Sequence, residues 1–206
     1  MTLEGVDGAG KSTQARLLAD RLRERGHAVT LTREPGGAPG AEAIRALLVT
    51  GEPGRWSPET EALLFTAARR DHVERVIAPA MAEGQIVLCD RFVDSTRAYQ
   101  AAAARQLVDA LHAHAIGIEP DLTLILELSP ESALARATSR GGPLEDRFEQ
   151  KGLAFQKTLA GAFRSIAEAE PERCHMIDAN APADAVIERL WRVLEPRLPN
   201  PAGDAA

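Results

Sequence analysis

The residues best suited to chemistry stand at the start of the chain. Gly5-Val6-Asp7-Gly8-Ala9-Gly10-Lys11-Ser12 has the spacing G-x-x-x-x-G-K-[ST], a loop whose backbone N–H groups can close around a polyphosphate. Glycines at 5, 8 and 10 permit conformations closed to residues with a Cβ, so several amides can turn inward together. Lys11 then reaches the β and γ phosphates, and Ser12 puts a hydroxyl where Mg2+ would sit between them. A helix beginning here adds its positive dipole end. With Thr13, residues 5–13 form the expected nucleoside triphosphate site. Asp7 is unusual there, because a carboxylate in a phosphate-rich site is costly unless it meets a sugar hydroxyl or metal-linked water. Far along the chain, the apolar run Ile86-Val87-Leu88-Cys89 ends in Asp90-Arg91, which sets Asp90 at a strand end near the metal.

Strands and helices must alternate to bring these groups together. A short strand at 2–4 precedes the loop, and it is short enough that a residue or two more would be expected ahead of Met1. A helix is predicted over 11–26, with Leu18 and Leu22 four apart and Gly26 at its stop. Further strands are predicted over 28–32, 86–89, 122–128 and 174–177. The turn-rich Arg33-Glu34-Pro35-Gly36-Gly37 closes the second strand, where ligands gather in α/β sheets. Helices are predicted over 40–50, over 57–83 with Pro79 bending its end, over 95–114 through the alanine run 101–104, and over 130–139, 149–170 and 183–195. Gly141-Gly142-Pro143 reads as a mobile loop, and the tail 197–206 as a fraying end. Five strands alternating with helices imply one domain, 1–206, of the three-layer α/β/α class with a five-stranded parallel sheet, the P-loop NTPase fold.

Bulk properties narrow the function. The 206 residues carry a formal net charge of −6 and 45% hydrophobic residues, which argues against a general nucleic-acid binder. Anions must then be held by local arginines and lysines. No apolar run reaches the roughly 20 residues of a membrane span, and no leader pattern is visible, so a cytoplasmic protein without membrane partners is expected. Cys89 and Cys174 read as reduced core thiols, and the histidines at 27, 72, 112, 114 and 175 form no metal motif.

The set Glu4-Gly-x-Asp7-Gly-x-Gly-Lys-Ser-Thr13, Arg33-Glu-Pro-Gly-Gly37, Leu64-Phe65-x-x-x-Arg69, Asp90-Arg91-x-x-x-Ser95-x-x-Ala-Tyr99-Gln100 and Asp146-Arg147-Phe-Glu149 closely resembles bacterial thymidylate kinases over nearly the whole chain. The resemblance implies transfer of the γ-phosphate of ATP to dTMP with Mg2+, in a homodimer. It implies that Asp7 faces the monophosphate and sugar, that Phe65 stacks on the base while Arg69 bonds a base carbonyl, and that Tyr99 crowds the 2' position of the sugar. Ser95 and Thr96 lie against the base, and Glu34 joins the substrate site. Arg91, directly after the apolar strand, suits a two-pronged contact with the acceptor phosphate that lysine cannot copy. The segment 136–152 resembles the lid over ATP. Because the loop has Gly8 and Ala9 where some members have an arginine, Arg140 and Arg147, with Arg136 nearby, are the expected catalytic cations. Two other readings stay open here: a monophosphate kinase for another base, opposed by Phe65, Arg69 and Tyr99, and a GTPase-like switch, for which the Asn-Lys-x-Asp guanine signature is lacking.

Overall fold

A computed structural model describes residues 1–52, 54–100, 104–129, 131–133 and 152–199. The strands are β1 (Thr2–Gly5), β2 (Val29–Arg33), β3 (Ile86–Asp90), β4 (Thr123–Glu127) and β5 (Cys174–Asp178). They form one parallel sheet in the order β2-β3-β1-β4-β5. The expected α/β class and five-stranded parallel sheet are thus observed.

The helices are α1 (Lys11–Glu24), α2 (Pro39–Val49), α3 (Pro58–His72), α4 (Ala78–Ala82), α5 (Val93–Tyr99), α6 (Arg105–Leu111), α7 (Gly152–Ala169) and α8 (Ala183–Leu194). Their faces follow from strand order. The chain moves one way from β1 to β2 and the opposite way in every later crossover, and right-handed connections therefore put α1 on one face and the intervening helices on the other. The last helix, α8, returns to pack on α1. Along α1 the buried residues Lys11, Gln14, Ala15, Leu18, Ala19 and Leu22 fall at helical spacing, a stripe turned to the core. Leu18 and Leu22 are fully buried, and each such side chain contributes about 1.5–3 kcal/mol. They join Leu3, Leu124, Leu126, Phe163 and Leu190 in the main cluster.

Two predicted helices are divided. The helix expected over 57–83 is α3, a wide π turn at Val73–Ile77, and α4. In that turn the Ala78 N–H bonds Val73 O. Pro79 follows immediately, with no N–H and a ring that clashes with the carbonyl four residues back, and a widened turn ahead of it relieves that clash. The helix expected over 95–114 starts earlier, at Val93, stops at Tyr99 and resumes at Arg105, with a further π turn at His112–Ile116. Most of the alanine run expected within that helix, residues 101–103, lies outside the described residues. Of the helix expected over 130–139, residues 131–133 are helical and 134–139 lie outside the described residues, as do the loop 141–143 and residues 200–206 of the tail.

Strand register levels the functional ends. Leu3 pairs with Asp90, Arg33 with Asp90 and Gly5 with Leu126, so the loop after β1, the acid of β3 and the turn after β2 all open at the carboxyl edge of the sheet centre.

Candidate active site

The loop after β1 has the backbone its glycines permit. Gly5 has φ 130° and Gly8 φ 83°, and a Cβ on either would lie 2.4 Å from a carbonyl oxygen, that of Leu126 or Ala133. Neither position can carry a side chain. Gly10 caps α1 without a side-chain bond, which leaves the first-turn amides to an anion. Lys11 is buried, and its Nζ donates to Gly5 O at 3.1 Å and Val6 O at 2.8 Å. Burial, reinforced by the Arg91 charge, pulls its ammonium down to about 8. Ser12 Oγ donates to Asp90 Oδ2 at 2.5 Å, so the two expected metal ligands meet across 78 residues of sequence. A hydroxyl and a carboxylate are hard oxygen donors of the kind Mg2+ takes beside substrate phosphates. Among the described residues no group of three or more His, Cys, Asp or Glu could hold a metal, and an ion shared with phosphate oxygens needs only one or two side chains.

Beside the loop lies an open cleft of about 460 Å³, lined by Asp7, Glu34, Pro35, Val49, Phe65, Arg69, Arg91, Phe92, Ser95, Thr96 and Tyr99. Every residue expected in the acceptor site is among them. Arg91 sits in the left-handed region, φ 71°, which for a residue with a Cβ costs of order 1–3 kcal/mol and persists only where the surroundings enforce it. Its Nη1 donates to Gly5 O at 3.1 Å and to Ser95 Oγ at 2.9 Å, and its Nη2 pairs with Asp7 Oδ1. Tyr99 Oη donates to Asp7 Oδ2 at 2.8 Å. Burial pushes the Asp7 carboxyl up, but Arg91, Lys11 and the Tyr99 hydroxyl outweigh it and hold it below its ordinary value. The cost anticipated for an acid in this place is therefore met by protein cations.

Arg69, on α3, is fixed from three sides. Its Nε donates to Glu34 Oε2 at 2.8 Å, its Nη2 to Thr96 Oγ1 at 3.0 Å, and its guanidinium lies 4.9 Å from the centre of the Phe92 ring. Glu34 Oε1 meets His72 Nδ1 at 3.0 Å, so both its oxygens are engaged and it acts on the cleft through Arg69. Sequence reasoning missed Pro35, Val49 and Phe92 as lining residues and His72 as a support. Only the Arg33–Gly37 turn carried a signal, for Pro35.

The thymidylate kinase family model matches residues 3–190. The chain belongs to the thymidylate kinase family. It is 56% identical over 201 residues to the thymidylate kinase of Jannaschia sp., covering 96% of each chain. It is 57% identical over 202 residues to that of Caulobacter vibrioides, again 96% of each. The crystal structure of thymidylate kinase from Ehrlichia chaffeensis superposes with a TM-score of 0.74 at 33% identity, covering 94% of this chain and 96% of that one. The family inferred from the motifs is thus the one found, and with it the class of nucleoside monophosphate kinase, a phosphotransferase. The structure brings the loop residues 5–13 and the eight acceptor-site candidates to one edge of the sheet. Arg136, Arg140 and Arg147, with the rest of the expected lid up to residue 151, lie outside the described residues.

Proposed function

We propose that this chain transfers the γ-phosphate of ATP to dTMP, giving dTDP and ADP, and that the residues assembled above divide that work between donor and acceptor. One observation carries this reading: Arg91 donates to Gly5 O of the phosphate loop while lining the acceptor cleft, so the two half-sites share a wall. Phosphoryl transfer asks chiefly that two anions be aligned, water excluded and the spreading charge countered by cations.

On the donor side, the amides of residues 5–13 and the Lys11 ammonium hold the triphosphate. Ser12 and Asp90 would hold Mg2+, which when bound would neutralise phosphate charge. On the acceptor side Arg91 grips the monophosphate, with Asp7 keeping the guanidinium in place until a phosphate competes for it. Phe65 offers a ring to the thymine, and Arg69, clamped by Glu34, offers its guanidinium edge to a base carbonyl. Ser95 and Thr96 line the base end. Arg140 and Arg147 supply further cations to the transition state from the lid. Residues 1–206 act as one kinase domain in the cytoplasm, and no described helix is long and apolar enough to cross a membrane. The homodimer that the family resemblance implies is part of the same proposal.

A coupled ADP-release assay against a panel of nucleoside monophosphates tests the activity. Turnover is expected with dTMP; turnover only with AMP, GMP or CMP would overturn the assignment, and none with any acceptor would favour a nucleotide-driven switch. Tyr99→Ala tests the sugar contact. Removing the ring beside Asp7 is expected to narrow the kcat/KM ratio between dTMP and its ribo counterpart by about tenfold, the scale on which a pocket wall discriminates. An unchanged ratio would refute that placement.

A further inference from the structure

Glu4 is the last side-chain-bearing residue of β1 and is fully buried, an unusual place for an acid. Its Oε1 accepts the Phe92 N–H at 2.7 Å and its Oε2 lies 2.5 Å from Ser95 Oγ. Both contacts fall on the corner between β3 and α5 where Arg91 takes its left-handed conformation. The same Ser95 Oγ accepts from Arg91 Nη1 at 2.9 Å. Backbone bonds hold the corner from the other side, with the Arg91 N–H on Leu3 O at 2.9 Å. β1 thus reaches the Arg91 guanidinium twice, directly through Gly5 O and indirectly through Glu4 and Ser95.

We infer that Glu4 is a positioning residue for the acceptor phosphate site, setting the Arg91 guanidinium through the Ser95 hydroxyl and the Phe92 amide. This rests on the reading of Arg91 as the acceptor's phosphate ligand. Bidentate recognition of a phosphate depends on the plane and direction of the guanidinium, and Arg91 has neither a regular strand nor a helix backbone to fix them. The relay works with either charge on the acid. As a carboxylate, Glu4 accepts the Ser95 hydrogen; as a neutral acid it donates to Ser95 Oγ. In both states Ser95 keeps a lone pair for Arg91. Burial, with Asp94 close by, pushes the Glu4 carboxyl up to about 8, so a hydrogen-bonding role independent of charge fits its surroundings.

Glu4→Met fills the same space without a hydrogen bond, Glu4→Gln restores the bonds without charge, and Arg91→Lys removes the fork. Glu4→Met is expected to raise KM for dTMP about tenfold, the loss typical of one bond to a charged group, while KM for ATP stays within twofold. Glu4→Gln should recover KM for dTMP to within threefold of the parent. In the Arg91→Lys background Glu4→Met should add less than twofold, because the group it acts through is gone. If Glu4→Met does not fold, Ser95→Ala is carried through the same cycle and should show the same loss of effect with Arg91→Lys. The proposal is overturned if Glu4→Met leaves KM for dTMP within twofold while Arg91→Lys raises it, or if its effect is as large in the Arg91→Lys background as in the parent. If Arg91→Lys itself leaves KM for dTMP unchanged, the assignment of Arg91 falls, and the role of Glu4 falls with it.

Discussion

Lys11→Ala is expected to lower kcat/KM by about 10^2–10^3 or more, the cost of removing one preorganised charge from a transition state, while leaving the fold in place. Lys11 is the ammonium of the phosphate loop, and its Nζ is turned to the carbonyls of Gly5 and Val6. Alanine is the best helix former at the first position of α1, and the glycines that shape the loop are untouched. The circular dichroism spectrum and Tm should therefore stay close to those of the parent while transfer collapses. A pH profile adds a second check. Burial and Arg91 bring this amine to about 8, and kcat/KM for ATP reports ionisations of the free enzyme. Its charged form exists below that value, so kcat/KM should fall as the pH rises through about 8, and that limb should be missing from the residual rate of the variant. Normal turnover in Lys11→Ala would remove the loop from the mechanism.

The second large effect is on stability. Asp94 is fully buried at the start of α5. It accepts Arg173 Nη1 at 2.6 Å and Nη2 at 3.1 Å, Arg97 Nη1 at 3.0 Å and the Thr123 hydroxyl at 3.2 Å. Asp94→Ala leaves two arginines with their shared counter-charge gone, and removing one partner of a buried ion pair costs about 3–5 kcal/mol. For a domain of this size that lowers Tm by roughly 6–20 °C. Burial pushes the Asp94 carboxyl up, but Arg173 and Arg97 overcome it and hold it below the ordinary value. With a depressed folded-state value, its contribution is present above the ordinary carboxylate range and lost as the pH falls from there through the depressed folded value. Asp94→Ala should therefore flatten the acid side of the stability profile. A variant within about 1 °C of the parent, far short of that expected range, would show that the cluster contributes no net stability.

Much of the site could be read without coordinates, for a physical reason. A loop that needs three glycines, a lysine and a hydroxyl in fixed succession is local, and so leaves its pattern in consecutive residues. Phe65 and Arg69 share a helix face, and Ser95 and Tyr99 another, which spacing alone reveals. What stayed hidden depends on contacts between distant segments. Asp94 and Arg173 are 79 residues apart, and nothing near either one names the other. Glu4 belongs to the first motif, yet its contacts with Phe92 and Ser95 show only when β3 is laid beside β1. Val49 and Phe92 look like plain apolar positions whose exposure to a cleft only the packing of α2 and α5 decides.

The contact between Tyr99 and Phe155 reaches beyond the cleft. The two rings meet edge to face at 5.8 Å, and Phe155, on α7, does not itself line the acceptor space. The aromatic ring of the cleft wall thus has a backing that a ligand need not touch, and if Tyr99 meets the sugar as proposed, substitutions at Phe155 alter the breadth of acceptors with every lining residue unchanged.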